Sequence, residues 1–196
     1  ENPAPGPFNM HETGKVSDTF NESISLALSG LIKGFKITDV TTELLEGGQI
    51  KTTLDAQGKV IEPVQSDLEL NISGLKEKYF ENDYLEMQLA SNVPQSYVYV
   101  FQSRDGQIEL LCPNQVQSGV FDENGIVRIP NDRYKLKVTV DDADLTKESN
   151  TFFVIGSTRR IPYSGDGSVM GLINWYDKIP SKGRCFATQS VLYLRR

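Results

Sequence analysis

The stretch SYVYVFQS, Ser96 to Ser103, decides the fold. It is built of β-branched and aromatic residues, the types that suit a pleated strand. Side chains alternate across a strand, so Tyr97, Tyr99 and Phe101 share one face while Val98 and Val100 share the other. Apolar groups on both faces predict a central strand covered on both sides. Arg104-Asp105-Gly106-Gln107 supplies a turn, and Ile108–Leu111 returns alongside. Thr151–Ile155 (TFFVI) is a second strand of the same fully apolar kind.

Outward from this centre the chain alternates between strand and turn. Leu68, Leu70 and Ile72 alternate with acidic or polar residues, and so do Leu85, Met87 and Leu89. Tyr134, Leu136, Val138 and Val140 do the same. Gln49–Leu54 and Val60–Gln65 flank Asp55-Ala56-Gln57-Gly58, which reads as a hairpin. Near the start, Phe20, Ile24, Leu28 and Leu31 form one helical face, with Thr19 and Glu22 as a capping box and Gly34 as the C-cap. Phe35 to Val40 reads as a strand, and Thr41 to Glu46 as one helical turn. Near the end, Val169, Leu172, Ile173 and Tyr176 predict a short helix with Trp175 at its edge. Pro180 closes it, and Cys185–Leu194 forms a last strand.

The expected fold class is α+β, mostly β. An antiparallel β-sandwich with a short C-terminal helix spans residues 76–196. A small α+β segment, residues 19–75, precedes it, across a soft seam that leaves one continuous domain open. Residues 1–18 hold proline and glycine and few core formers, which reads as a flexible arm or linker. The chain begins at Glu1 rather than methionine, as expected of a processed form or a piece of a longer protein.

Composition excludes several classes. The chain has 196 residues and a formal net charge of -6, a poor match for a general nucleic-acid binder. No apolar run approaches the ~20 residues that span a bilayer, although a lipid anchor outside this sequence stays open. The single histidine, His11, lies in the arm. A nucleophile–imidazole pair needs an imidazole held by packing, so nucleophilic catalysis is not expected. No cofactor is expected, and oligomeric state is not legible.

Leu85 to Ile155 resembles a bacterial family of domains of unknown function. The residues that carry the likeness are Ser96–Phe101, Asp105-Gly106, Leu111-Cys112-Pro113-Asn114, Ile129-Pro130 and Phe152–Ile155. Arg160 to Arg196 is similar to the usual family ending, a short helix before a last strand. The resemblance implies an accessory β-sandwich of envelope proteins, found also beside caspase-like peptidases or repeat domains. It carries over no catalytic residues.

Four sets of residues are candidates for chemistry. Tyr97, Tyr99 and Phe101 form a ladder that binds peptide or sugar if exposed, or packs in the core if the late helix with Trp175 and Tyr176 covers it. Asp141, Asp142 and Asp144, with Glu148, offer oxygens to calcium, and Asp122-Glu123-Asn124-Gly125 echoes part of a calcium loop; solvated turns are the plainer reading of both. Cys112 and Cys185 are either two buried thiols or one disulfide. Gly165-Asp166-Gly167-Ser168 leads into the late helix, where Ser168 is expected as an ordinary cap rather than part of a phosphate cradle. The triplets at Asn21 and Asn71 are weak glycosylation signals.

Together these point to a non-catalytic protein-binding or scaffold module of a bacterial envelope, periplasmic or secreted protein. Alternatives are a carbohydrate- or calcium-binding adhesive module and a regulatory domain of an attached peptidase.

Overall fold

The computed structural model describes residues 7–14, 16–46, 50–62, 64–104, 107–140 and 146–196. The fold is α+β and mostly β, with two α-helices and several sheets. Its centre is a five-stranded sheet in the order β5-β13-β12-β8-β9, made by Lys78–Phe80 (β5), Arg184–Leu194 (β13), Lys147–Ser157 (β12), Tyr97–Arg104 (β8) and Gln107–Cys112 (β9). All neighbours are antiparallel except β5, which runs parallel to β13. β8 and β12 lie inside this sheet, as their two-faced apolar sequences require.

Each face of the sheet has its own core. Val98, Val100, Cys112, Phe152, Val154, Val191 and Tyr193 pack on one face. Opposite them stand Leu70–Ser73 (β4), Met87–Ser91 (β7) and Ile126–Ile129 (β10), in the order β10-β7-β4, and the two-stranded pair of Tyr84–Leu85 (β6) with Leu136–Lys137 (β11). These layers make the sandwich. Tyr99, Phe101, Phe153 and Ile155 pack on the other face, beneath the helices Val16–Leu28 (α1) and Val169–Tyr176 (α2).

A second sheet completes that layer. Pro7–Gly14 (β1), Ile32–Leu44 (β2) and Ile50–Val60 (β3) lie in the order β1-β3-β2. Ile24, Ala27 and Leu28 of α1 share one core with Ile32 and Phe35 of β2, Leu54 and Ala56 of β3, and the central sheet. Among the described residues, those of α1, β2 and β3 pack into the same core as the central sheet, and β4, inside the 19–75 segment, pairs with β7 of the sandwich.

Several local expectations are corrected. Residues 7–14, read as arm, form a strand paired with β3 from Pro7↔Lys59 to Gly14↔Thr52. The hairpin at Asp55–Gly58 does not form, because β3 runs straight through it between β1 and β2. Gly58 serves close approach instead, since a Cβ there would collide with the Ile32 side chain. Thr41 to Glu46 adds no helical turn; β2 continues to Leu44, as its consecutive threonines favour. The first helix begins at Val16, so Thr19 sits inside it and cannot be its N-cap. Gly30, at φ 75°, ends it instead of Gly34, which falls where β2 shifts register.

Candidate functional site

The aromatic ladder is core. Tyr99 and Phe101 are buried, and Tyr97 is half-buried. The Trp175 ring stands edge-on to Tyr99 at 4.7 Å and to Phe101 at 5.6 Å, with Tyr163 wedged 4.9 Å from Phe101. The loop before α2 locks this cluster. Ile161 N–H donates to the Tyr99 hydroxyl at 2.8 Å, and the Trp175 indole N–H donates to the Pro162 carbonyl at 3.0 Å. Burial pushes the Tyr99 phenol above its ordinary pKa. These residues cannot present a binding platform, and Trp175 is at the centre of the helix face rather than its edge.

The cysteines are free and far apart. Cys112 lies on β9 and Cys185 on β13, with β8 and β12 between them. Three strand spacings of ~4.8 Å separate them by ~14 Å, beyond the ~7 Å that a disulfide bridges. Burial raises the Cys112 thiol to about 12 and the Cys185 thiol to about 11, so neither is an activated nucleophile.

Asp141, Asp142 and Asp144 lie outside the described residues. Among the described residues no three His, Cys, Asp or Glu side chains gather as a metal site. Asp122 is occupied by its own turn, accepting from Asn124 N–H and Ile126 N–H at 2.8 Å each. Ser168 caps α2, accepting from Gly171 N–H at 2.9 Å. Asp166 accepts from Ser168 N–H at 3.0 Å, and its hydrogen bonds from Ser168 hold its carboxyl below the usual range. Asn21 is in α1 and donates to Thr151 Oγ1 at 2.9 Å, whereas Asn71 is exposed on β4.

Glu148, read from the sequence beside the aspartates as a calcium candidate, instead belongs to a polar cluster that the sequence did not show. Its carboxylate is almost fully buried and meets Arg104 Nε at 2.7 Å. Asn150 bridges the pair, donating to Glu148 Oε1 at 3.0 Å and accepting from Arg104 Nε at 3.3 Å, and it also accepts from Gln102 Nε2 at 2.7 Å. Of these groups, Gln102 and Arg104 line part of a cleft of about 330 Å³ with Glu109, Lys137, Thr139 and Tyr193. Arg104 and Glu148 satisfy one another's charge, which suits a polar plug holding β8 to β12. A larger cleft of about 480 Å³ lies between Tyr84 and Tyr134, but Lys135 Nζ already sits 4.9 Å from the Tyr84 ring centroid.

The longest edge among the described residues is that of β2. Of the others, β1 has 8 residues on the far side of the same sheet, β5 has 3, β4 and β10 have 4 each, and β9 is met at its start by Ser168 and Gly167. β2 has 13 residues and pairs on one side only. Its register breaks fall between Lys33 and Asp39, whereas Asp39 to Leu44 pairs regularly with β3. This regular half carries Val40 at 42% and Leu44 at 76% exposure, with Leu45 beyond at 41%. It contains no proline, lysine or bulge, although Asp39 and Glu43 place two charges on it.

No family model matches this chain, and no curated protein matches it either.

Proposed function

We propose that this chain is a non-catalytic protein-binding module that takes an extended segment of its partner as an added strand on the outer edge of β2. The observation that carries this reading is the regular, uncovered run Asp39–Leu44 with Val40 and Leu44 exposed beside it. Main-chain hydrogen bonds to such an edge supply affinity, and alternate side chains supply choice of partner. Glu43 and Lys51, 3.6 Å apart across β2 and β3, place both signs of charge beside the strand for register.

The resemblance of Leu85–Ile155 to accessory sandwich domains supports the same reading, and with it a place in a bacterial envelope, periplasm or secreted assembly. The sandwich then acts as the rigid support, and the β1-β3-β2 sheet as the part offered to the partner. A carbohydrate-binding reading has lost the platform it required, since Tyr99 and Phe101 are buried.

Hydrogen exchange tests the proposal. In cell extract fractions that retain the chain in a complex, amides within 39–44 gain protection relative to the free protein, while those of β4 and β10 do not change. Protection gained at β4 or β10 with 39–44 unchanged overturns it.

A further inference from the structure

Charge is unevenly placed on this molecule. From Ser157 to Arg184 the chain carries Arg159, Arg160, Lys178, Lys182 and Arg184 against Asp166 and Asp177, although its net charge is -6. The fold gathers these cations at one corner. Ser157 stands opposite Arg184 in the β12–β13 pair, and Thr158 N–H donates to the Gly183 carbonyl at 2.9 Å. Arg159 and Arg160 therefore emerge beside Lys182. Asp177 is taken up by Arg184, at 3.4 Å.

The start of β2 reaches the same corner. Leu28, Gly30, Ile61 and Val64 line a cleft of about 270 Å³ together with Ser181 and Arg184. Ile61 N–H donates to the Leu31 carbonyl at 2.8 Å, and Lys33 and Lys59 follow as direct cross-strand partners. Like charges placed opposite each other weaken a sheet, so this pairing is not there for stability. Lys33, Lys59, Arg159, Arg160, Lys178 and Lys182 are all exposed, and they outnumber Glu62, Asp67 and Glu69 on the connecting segment. Two apolar side chains stand out among them, Leu31 at 41% and Val64 at 49% exposure.

We propose that this corner is a docking surface for an anionic phospholipid membrane. Clustered Lys and Arg are drawn to anionic headgroups, and apolar side chains beside them enter the acyl boundary. An acidic peptide would match the cations but leave Leu31 and Val64 in water, whereas a bilayer takes up both. This inference does not depend on the β2 edge.

The test is cosedimentation of the full chain with phosphatidylcholine vesicles, alone or mixed with phosphatidylglycerol, at low and high salt. Binding is expected to the mixed vesicles only and to fall as salt rises. Each cation removed weakens partition roughly fivefold, so Arg159→Glu with Arg160→Glu abolishes it. Lys147→Glu, at the far end of β12, has much less effect. Leu31→Ser with Val64→Ser lowers binding several-fold at unchanged charge, and a matching melting temperature for each variant shows that the fold is kept. Absent binding to mixed vesicles, equal binding to neutral ones, or indifference to the arginine reversal overturns the proposal. Binding of polyglutamate without binding of vesicles overturns it too, and assigns the corner to an acidic peptide.

Discussion

The Trp175 ring meets the Tyr99 ring edge-on at 4.7 Å, and this contact fastens the last helix to the central sheet. Trp175 is the only tryptophan in the chain and is 1% exposed. Its fluorescence is expected to be blue-shifted and shielded from acrylamide until the chain unfolds. Trp175→Ala should cost about 3–5 kcal/mol by urea denaturation followed by circular dichroism. Trp175→Phe should cost less, keeping a ring but losing the bond to Pro162. A loss under ~1 kcal/mol for the alanine variant would contradict a core role.

The ion pair of Arg104 and Glu148 gives a second test. Arg104→Met leaves a nearly buried carboxylate without its cation, a change worth roughly 3–5 kcal/mol. Replacing Glu148 by Met as well should recover much of that loss. A double-mutant cycle measures the coupling, and additive losses would mean that the two residues act independently.

Gly58 and Ile32 are coupled through space. A methyl group at Gly58 collides with the Ile32 side chain, so Gly58→Ala should cost about 1–3 kcal/mol. Combined with Ile32→Ala, it should cost less than the two single losses together. A neutral Gly58→Ala would contradict the close approach of Ile32 to this glycine.

Alkaline pH should weaken the fold through the buried Cys112 thiol and the half-buried Cys185 thiol. Burial raises Cys112 to about 12 and Cys185 to about 11, above the ordinary thiol value of about 8.5. Below that ordinary value both states hold their protons, and the thiols' contribution is complete. As pH rises from there towards 11 and 12, the unfolded chain releases protons that the folded chain keeps, and stability is lost. Melting temperature should therefore fall from about pH 9 upwards, less steeply in Cys112→Ala and Cys185→Ala than in the parent. Equal slopes in all three would remove the thiols as the cause.

The central strands were legible because their local pattern is the same as their tertiary role. Tyr97–Phe101 and Phe152–Ile155 carry apolar residues on both faces and lie where two cores meet. Ser168 and Pro180 likewise marked the late helix through local chemistry. Asp55–Gly58 misled because a glycine needed for close packing looks like a glycine needed for a turn. The first helix was displaced because Thr19 and Glu22 fit a cap as well as they fit its interior. The network of Gln102, Arg104, Glu148 and Asn150 was invisible because its members come from two strands far apart in sequence. A disulfide was allowed by composition and is denied by strand order alone. The edge of β2 was unreadable because exposure on both faces of a strand depends on what the rest of the chain leaves uncovered.

Charge on that edge separates binding from folding. Val40→Lys with Leu44→Lys should leave stability within ~0.5 kcal/mol, as befits exposed positions, while partner capture is lost because charged edge residues discourage strand addition. Unfolding on substitution would instead place these side chains in a core contact.

The most direct test of strand addition is a photo-crosslinking scan in the native host, with the reactive residue placed in turn at Val40, Thr42, Leu44, Phe80, Tyr84 and Val120. Adducts to one protein are expected from the β2 positions only, with the crosslinked partner peptide in register along the strand and the adducts gone in the lysine double variant. Adducts confined to Phe80, Tyr84 or Val120, with β2 silent, would contradict it.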